Sequence, residues 1–131
     1  MVIDTSAILA ILSREPEGHH FSQLIALSPP ALVSAATYLE VRIVTEARWG
    51  RDGVRDLKSF VTAPSMAIIP FDAEQAIIAA DAYFRYGRGR HQAGLNFGDC
   101  FAYALAKNTG ELLLFKGDDF VHTDIVSVTH R

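Results

Sequence analysis

The stretch Val2-Ile3-Asp4-Thr5-Ser6-Ala7 opens the chain and predicts the most about its fold. Val2–Asp4 is a short apolar run closed by a carboxylate, which indicates a buried strand. The next stretch, Ser6–Leu12, predicts a helix that Thr5 or Ser6 can cap. A buried strand that leads directly into a helix is typical of a parallel sheet covered by helices.

The same alternation of apolar runs and helical stretches continues along the chain. Further strands are predicted at Ala31–Ser34, Met66–Pro70 and Leu112–Phe115, with a short fifth strand near Ile125–Val128. Because the strands are continuously apolar, we expect an α/β fold, a three-layer α/β/α arrangement with a mostly parallel central sheet of four to five strands. The predicted helices after the first are one that ends near Leu27, then Ala36–Trp49 stopped by Gly50, Arg51–Ala63, Ala73–Arg85 and Asp99–Asn108.

Length and composition limit the class of protein. A chain of 131 residues, half of them hydrophobic, suits a single domain over residues 1–131 with one core. Its apolar runs are far shorter than the roughly 20 residues of a membrane span. The single cysteine cannot form an internal disulfide, so we expect a cytoplasmic protein with no membrane contact. A net charge of −3 argues against binding nucleic acid through overall charge.

Acidic residues lie at the predicted ends of several elements. Asp4 closes the first strand, and Asp118 and Asp119 follow the fourth. Asp99 opens the last helix. Since ligands bind beyond the carboxyl ends of parallel strands, we expect these side chains at one edge of the sheet. Each also has a structural alternative, because Asp4 and Asp99 can cap helices and Asp118-Asp119 can form a turn.

Glu40 lies in a predicted helix, and its neighbours at three and four residues are mostly apolar. They are Ala36, Thr37, Ile43 and Val44. A carboxylate on the apolar side of a helix indicates a metal, a catalytic role or a buried pair with an arginine.

Carboxylates gathered in one place repel each other and need cations. All-oxygen ligands favour Mg²⁺ or Mn²⁺ over zinc. Two such ions about 4 Å apart can activate water and stabilise the leaving oxygen of a phosphodiester. We therefore expect the carboxylates of Asp4, Glu40 and Asp99 to converge within metal-bridging reach.

A basic segment mixed with aromatic residues lies near the end of the fifth predicted helix, Ala73–Arg85. Its basic members are Arg85, Arg88, Arg90 and His91. Basic and aromatic side chains together suit phosphates and exposed bases. A solvated helix end followed by a flexible glycine loop is the alternative.

Four motifs in series resemble PIN-domain ribonuclease toxins of the VapC type. The motifs are Val2-Ile3-Asp4-Thr5-Ser6-Ala7, Tyr38-Leu39-Glu40, Leu95-Asn96-Phe97-Gly98-Asp99-Cys100 and Leu114-Phe115-Lys116-Gly117-Asp118-Asp119-Phe120. Their order and spacing agree with this family over essentially the whole chain. The resemblance implies a PIN-like fold and an Mg²⁺- or Mn²⁺-dependent endoribonuclease that cuts structured RNA, commonly transfer RNA. It also implies a VapB-type antitoxin whose C-terminal segment covers the active site, and a homodimer within the toxin–antitoxin complex.

The resemblance also implies roles for individual residues. Asp4 and Asp99 match the main metal ligands, and Glu40 completes the acidic trio. Ser6 matches the small polar residue that supports the first aspartate. Many relatives carry the fourth acid in a threonine-rich turn, which this chain replaces with Phe115-Lys116-Gly117, so Asp118 or Asp119 must supply it; we favour Asp118, with Asp119 in support. Arg85, Arg88, Arg90 and His91 match the expected RNA-binding surface.

Two other classes of function remain. A metal-dependent phosphatase or phosphotransfer domain fits Asp4 and Lys116 loosely, but haloacid-dehalogenase-like enzymes need a second Asp where this chain has Ser6. A non-catalytic RNA-binding module is the other. A nucleotide-binding module is disfavoured, because Asp4-Thr5-Ser6-Ala7 carries no glycine fingerprint after the first strand.

Overall fold

A computed structural model describes residues 1–128 and has four parallel strands in one sheet. The spatial order is β3-β2-β1-β4, so the first strand lies inside the sheet. Val2 pairs with both Leu32 and Leu113 in this arrangement. The strands are β1 (Val2–Ile3), β2 (Ala31–Ser34), β3 (Met66–Ile69) and β4 (Leu113–Leu114).

Helices connect the strands and cover both faces of the sheet. Val2 packs in a core cluster with residues of the last two helices, whereas Ile3 packs in a second cluster with residues of the first three. Adjacent residues of a strand point to opposite faces, so one strand of two residues contributes to both cores. The helices are α1 (Thr5–Leu12), α2 (Gly18–Leu27), α3 (Ala35–Val61), α4 (Ala73–Tyr86) and α5 (Asp99–Thr109).

Gly50 breaks α3 into two helical halves. Its φ is 61° and its ψ is −142°, a backbone conformation that residues with a side chain rarely adopt. The second half of α3 packs against the core, where Leu57 is buried in the same cluster as Ile3. The predicted stop of a helix at Gly50 is confirmed.

The predicted parallel α/β sheet is confirmed with four strands. The fifth strand expected near Ile125–Val128 is reduced to one parallel bridge between Leu113 and Ser127. The connecting hydrogen bonds come from the backbone N–H groups of Leu113 and Val128. This segment therefore extends the edge beside β4 by one pairing only.

Asp4 caps α1, which confirms the structural alternative for that residue, whereas the prediction that Thr5 or Ser6 is the cap is wrong. Thr5 and Ser6 already belong to the helix, whereas Asp4 has the extended backbone of a capping residue (φ −80°, ψ 159°). The Asp4 carboxylate accepts the first hydrogen bond, from the backbone N–H of Ser6 at 3.0 Å. Capping by Asp99 is likewise absent, because Gly98 is the N-cap of α5 and Asp99 its first helical residue.

No helix among residues 1–128 has the length and apolar character needed to cross a membrane.

We predict that Gly50→Ala lowers the free energy of unfolding by about 1–2 kcal/mol, because a side chain strains the backbone at this positive φ. An added Cβ meets no atom within 4 Å, so the loss is conformational rather than steric. Urea unfolding followed by circular dichroism measures it. Arg51→Ala, at the exposed neighbouring position, serves as the control and should change stability by less than about 0.5 kcal/mol. Equal or greater stability of Gly50→Ala would contradict the break in α3.

Candidate active site

Asp4 lies where β1 ends, and it is only 3% exposed. Its Oδ2 accepts hydrogen bonds from the backbone N–H and the hydroxyl of Ser6, at 3.0 and 2.6 Å. No group among residues 1–128 donates a hydrogen bond to its buried Oδ1. Burial raises the pKa of Asp4 from 3.8 to about 6, although the hydrogen bonds from Ser6 oppose this. One oxygen of this carboxylate is therefore committed to the fold, and the other lacks a partner.

Ser6 joins Asp4 to the turn that follows β4. Its hydroxyl donates to Asp4 and accepts a hydrogen bond from the backbone N–H of Lys116 at 2.9 Å. The backbone N–H of Asp4 also donates to the carbonyl of Leu114 at 3.0 Å. The ends of two neighbouring strands are thus held together directly beneath the acidic side chains.

Lys116 pairs with two glutamates in the segment between α1 and α2. Its ammonium group contacts the carboxylates of Glu15 and Glu17, the latter at 2.7 Å. These hydrogen bonds raise the pKa of Lys116 and lower that of Glu17. The ammonium group of Lys116 is therefore paired with Glu15 and Glu17 rather than with the aspartates of the pocket.

Glu40 reaches the same region from the first half of α3. Its Oε1 accepts a hydrogen bond from the hydroxyl of Thr5 at 2.5 Å. Its Oε2 lies against Gly98, where an added Cβ would be 2.2 Å away. Neither partner is an arginine, so the buried Arg–Glu pair considered as an alternative is not what holds Glu40.

Asp99 is fixed by a reciprocal pair of hydrogen bonds with Asn96. The backbone N–H of Asn96 donates to Asp99 Oδ2 at 3.0 Å, and the backbone N–H of Asp99 donates to Asn96 Oδ1 at 2.9 Å. Burial raises the pKa of Asp99 from 3.8 to about 7, and the nearby charges of Asp4 and Asp119 add to the rise. Three carboxyl groups are therefore close enough to disfavour one another's charge.

The fourth acid of the site is Asp119 by position. It lines the same pocket as Asp99, and a hydrogen bond between their carboxyl groups contributes to the raised pKa of Asp99. Asp118 is exposed and is not among the residues that line the pocket. The preference for Asp118 is therefore not supported, because the second of the two aspartates, and not the first, lies at the pocket.

One pocket collects the acids at the carboxyl edge of the sheet. Among residues 1–128, no three acidic, histidine or cysteine side chains are arranged as a ready-made metal-ligand group. The expected convergence within metal-bridging reach is thus not found; Ser6, Thr5 and Asn96 each hold a different carboxylate. The lining residues are Asp4, Thr5, Ser6, Leu9, Glu40, Asn96, Asp99, Lys116, Asp119 and Phe120.

The chemistry of the pocket nevertheless suits a hard divalent cation. The unpartnered oxygen of Asp4 is buried, and the charged forms of Asp4 and Asp99 are both disfavoured by burial. Carboxylate oxygens are the ligands that Mg²⁺ and Mn²⁺ prefer. A cation here would offset the repulsion and give the free oxygen a partner.

The basic segment lies apart from the acidic pocket. Arg85 donates to the hydroxyl of Tyr86 at 2.9 Å and lies over the Tyr86 ring at 4.8 Å. Arg90 lies over the ring of Phe84 at 5.3 Å. Both arginines thus stack on aromatic rings within the segment.

His91 has a structural contact in the same loop, where its Nδ1 accepts from the backbone N–H of Ala93 at 3.0 Å. Arg88 is exposed. The structure does not bring these side chains to the acids. None of Arg85, Arg88, Arg90 and His91 is among the residues that line the pocket.

Sequence reasoning assigned no such role to two side chains that hold the acids, Asn96 and Thr5. Asn96 carried a visible signal, since an asparagine three residues before a helix-opening aspartate often bonds locally. No pattern in the sequence linked Thr5 to Glu40, because the two are 35 positions apart.

Comparisons with known proteins agree with this architecture. A family model described as the PIN domain matches residues 1–126. Ribonuclease VapC of Mycolicibacterium smegmatis is 51% identical over 128 residues, which cover 98% of this chain and 99% of the relative. Ribonuclease VapC30 of Mycobacterium tuberculosis is 49% identical over 128 residues, 98% of each chain.

Solved structures share the fold at low sequence identity. VapC20 of Mycobacterium tuberculosis, described as a sarcin–ricin loop cleaving toxin, superposes with a TM-score of 0.78 at 18% identity over 97% of both chains. A toxin–antitoxin complex from Klebsiella pneumoniae gives a TM-score of 0.72 at 21% identity, over 99% of this chain and 97% of the other. With the family model covering nearly all described residues and VapC relatives at about half identity, the chain belongs to the PIN-domain family and, within it, to the VapC ribonucleases.

Proposed function

We propose that this chain is the toxin of a VapC-type toxin–antitoxin pair, a metal-dependent endoribonuclease whose active site is the acidic pocket. The observation that carries the proposal is the set of four carboxylates at one sheet edge. They come from four separate parts of the chain, and two of them have strongly raised pKa values. Perturbed carboxyl groups gathered in a cleft favour a catalytic site. The relatives named ribonucleases supply the reaction class.

Mg²⁺ or Mn²⁺ is the proposed cofactor, and ribonucleases of this family are generally metal-dependent. Asp4 and Asp99 would hold it, with Glu40 and Asp119 completing an oxygen-only ligand set. When bound, such a cation supplies positive charge for the phosphodiester oxygens and lowers the pKa of water.

The residues of the chain prepare the acids for this role. Ser6 engages Oδ2 of Asp4 and leaves Oδ1 without a partner. Asn96 fixes Asp99 at the start of α5. Burial raises the pKa of Asp99 to about 7, so this carboxyl group must lose its proton before it can hold a cation as an anion. Metal loading should therefore release protons.

We propose structured RNA, such as transfer RNA, as the substrate. The segment containing Arg85, Arg88, Arg90 and His91 would contact the phosphate backbone away from the cleaved bond, since it does not line the pocket. Guanidinium groups stacked on aromatic rings also suit exposed bases. Such RNA lies in the cytoplasm, where we place the protein.

The proposed protein partners are a VapB-type antitoxin and a second copy of the chain. Several solved structures with this fold are toxin–antitoxin complexes. Exposed apolar side chains line a groove beside Glu40, with Leu39, Ile43 and Phe97 exposed by 58%, 60% and 76%. An apolar patch of this kind is typical of a protein interface, and we assign it to the second copy.

We predict that the purified chain cleaves RNA with Mg²⁺ or Mn²⁺ and stops in EDTA, leaving 3′-hydroxyl and 5′-phosphate ends. Asp99→Asn should reduce cleavage on the order of 100-fold or more, since charge stabilisation by a held cation contributes several kcal/mol. Its circular dichroism spectrum should be unchanged, because an asparagine can still accept from Asn96. Cyclic phosphate ends, or full activity of the variant, would contradict metal-assisted hydrolysis.

Asp118 and Asp119 form a matched pair of positions, one outside and one inside the pocket. We predict that Asp119→Asn reduces cleavage by at least about 10-fold, whereas Asp118→Asn stays within about 3-fold of the unmodified chain. Both changes remove one negative charge from the same turn, so the two variants have the same net charge. The reverse order of effects in a single-turnover assay would assign the fourth acid to Asp118.

The raised pKa values predict a pH-dependent stability in EDTA. Between the ordinary value of 3.8 and the raised values of about 6 and about 7, the folded chain keeps protons that the unfolded chain has released. Stability should therefore fall as pH rises through this window. At pH 8, Asp99→Asn should be more stable than the unmodified chain by roughly 1–3 kcal/mol, and the difference should shrink near pH 4. Thermal unfolding at both pH values tests this, and a less stable variant at pH 8 would contradict it.

A further inference from the structure

The carboxylate of Glu40 is held between the starts of two helices. Thr5 is the first residue of α1, and its hydroxyl donates to Glu40 Oε1 at 2.5 Å. Gly98 is the N-cap of α5, and Oε2 lies on the side where a Cβ would be. Each oxygen of Glu40 therefore has its own defined neighbour.

Gly98 leaves space for the Glu40 carboxylate, and its backbone conformation does not call for glycine. Its φ of −64° and ψ of −37° are ordinary helical values that any residue adopts. A Cβ at this position would lie 2.2 Å from Glu40 Oε2 and 2.8 Å from Cδ. A side chain at position 98 would therefore displace the Glu40 carboxylate from its present place.

The position between two helix starts also favours an anion. Backbone N–H groups in the first turn of a helix carry partial positive charge, which stabilises a nearby carboxylate. Asp99 is the acidic residue in the first turn of α5, and its backbone N–H already donates to Asn96 Oδ1. Glu40 adds a second carboxylate beside the same helix start.

We propose that Thr5 and Gly98 are positioning residues for Glu40, Thr5 through its hydroxyl and Gly98 through the space it leaves. The inference rests on the proposed function, in which Glu40 belongs to the metal-binding acids. Changes at Thr5 or Gly98 then act through Glu40, even though neither residue contributes a carboxylate to the pocket.

Thr5→Val and Thr5→Ser test the hydrogen bond. Valine keeps the shape of threonine without the donor, whereas serine keeps the donor. Thr5→Val should weaken binding of Mn²⁺ alone, measured by calorimetry, and lower kcat for RNA cleavage, both by about 10–100-fold, as for other partners that orient metal ligands. KM for RNA should change little, and Thr5→Ser should restore both quantities to near the unmodified values. Equal losses in Thr5→Val and Thr5→Ser would overturn the role of the hydroxyl.

Gly98→Ala tests the space, with thermal stability in EDTA as a readout that needs neither metal nor activity. The variant should melt at a lower temperature than the unmodified chain, because the new methyl group meets the Glu40 carboxylate. In a Glu40→Ala background the same change should be neutral or stabilising, since alanine favours a helix over glycine. A similar loss in both backgrounds would overturn the assignment, because Gly98 would then be needed for another reason.

A double-mutant cycle decides whether Thr5 acts through Glu40. Thr5→Val should have no further effect on Mn²⁺ affinity in the Glu40→Ala background, whereas additive losses would show an independent role and overturn the inference. Failure of the proposed function looks different, since the unmodified chain would then cleave no RNA with any divalent cation. The stability cycle at Gly98 would still support or overturn the positioning of Glu40 in that case.

Discussion

The buried carboxylate of Asp4 has two oxygens that serve different purposes. Oδ2 caps α1 at the point where β1 ends, because it accepts hydrogen bonds from both the backbone N–H and the hydroxyl of Ser6. Ser6 in turn accepts from Lys116, so the same oxygen indirectly fixes the turn after β4. Oδ1 takes no part in this network. An unpaired buried carboxylate oxygen costs free energy, and the remaining network must be stable enough to tolerate it. The fold thus keeps one oxygen of Asp4 available at the sheet edge.

Repulsion among the carboxylates of the pocket adds a further cost in free energy to that of the buried Asp4. Asp99 is disfavoured as an anion by its burial and by the charges of Asp4 and Asp119. Hydrogen bonds from Asn96, Ser6 and Thr5 hold these carboxylates, and no arginine among residues 1–128 pairs with them. Hydrogen bonds fix the direction of a carboxylate without removing its charge. The site is therefore oriented while its negative charge stays uncompensated, which is the condition a cation-binding site requires.

The sequence predicted the elements that depend on local patterns. Apolar runs located all four strands, and Gly50 located the break in α3, because both signals arise from neighbouring residues. The edge rule for parallel sheets placed Asp4 correctly beside the turn after β4. Features that depend on a turn angle or on contacts distant in sequence were out of reach. The choice between Asp118 and Asp119 depends on the course of the turn after β4, and the contact of Thr5 with Glu40 joins residues 35 positions apart.

The separation of basic and acidic surfaces constrains how RNA can bind. A phosphate that approaches the pocket meets carboxylates, and the ammonium group of Lys116 is already paired with Glu15 and Glu17. Attraction must therefore come from elsewhere, since the chain as a whole carries a net charge of −3. Under the proposed function, the arginines between residues 85 and 90 would hold the RNA backbone at a distance from the acids. Affinity and cleavage would then depend on different residues, because a scissile phosphate would enter the pocket only where positive charge offsets its carboxylates.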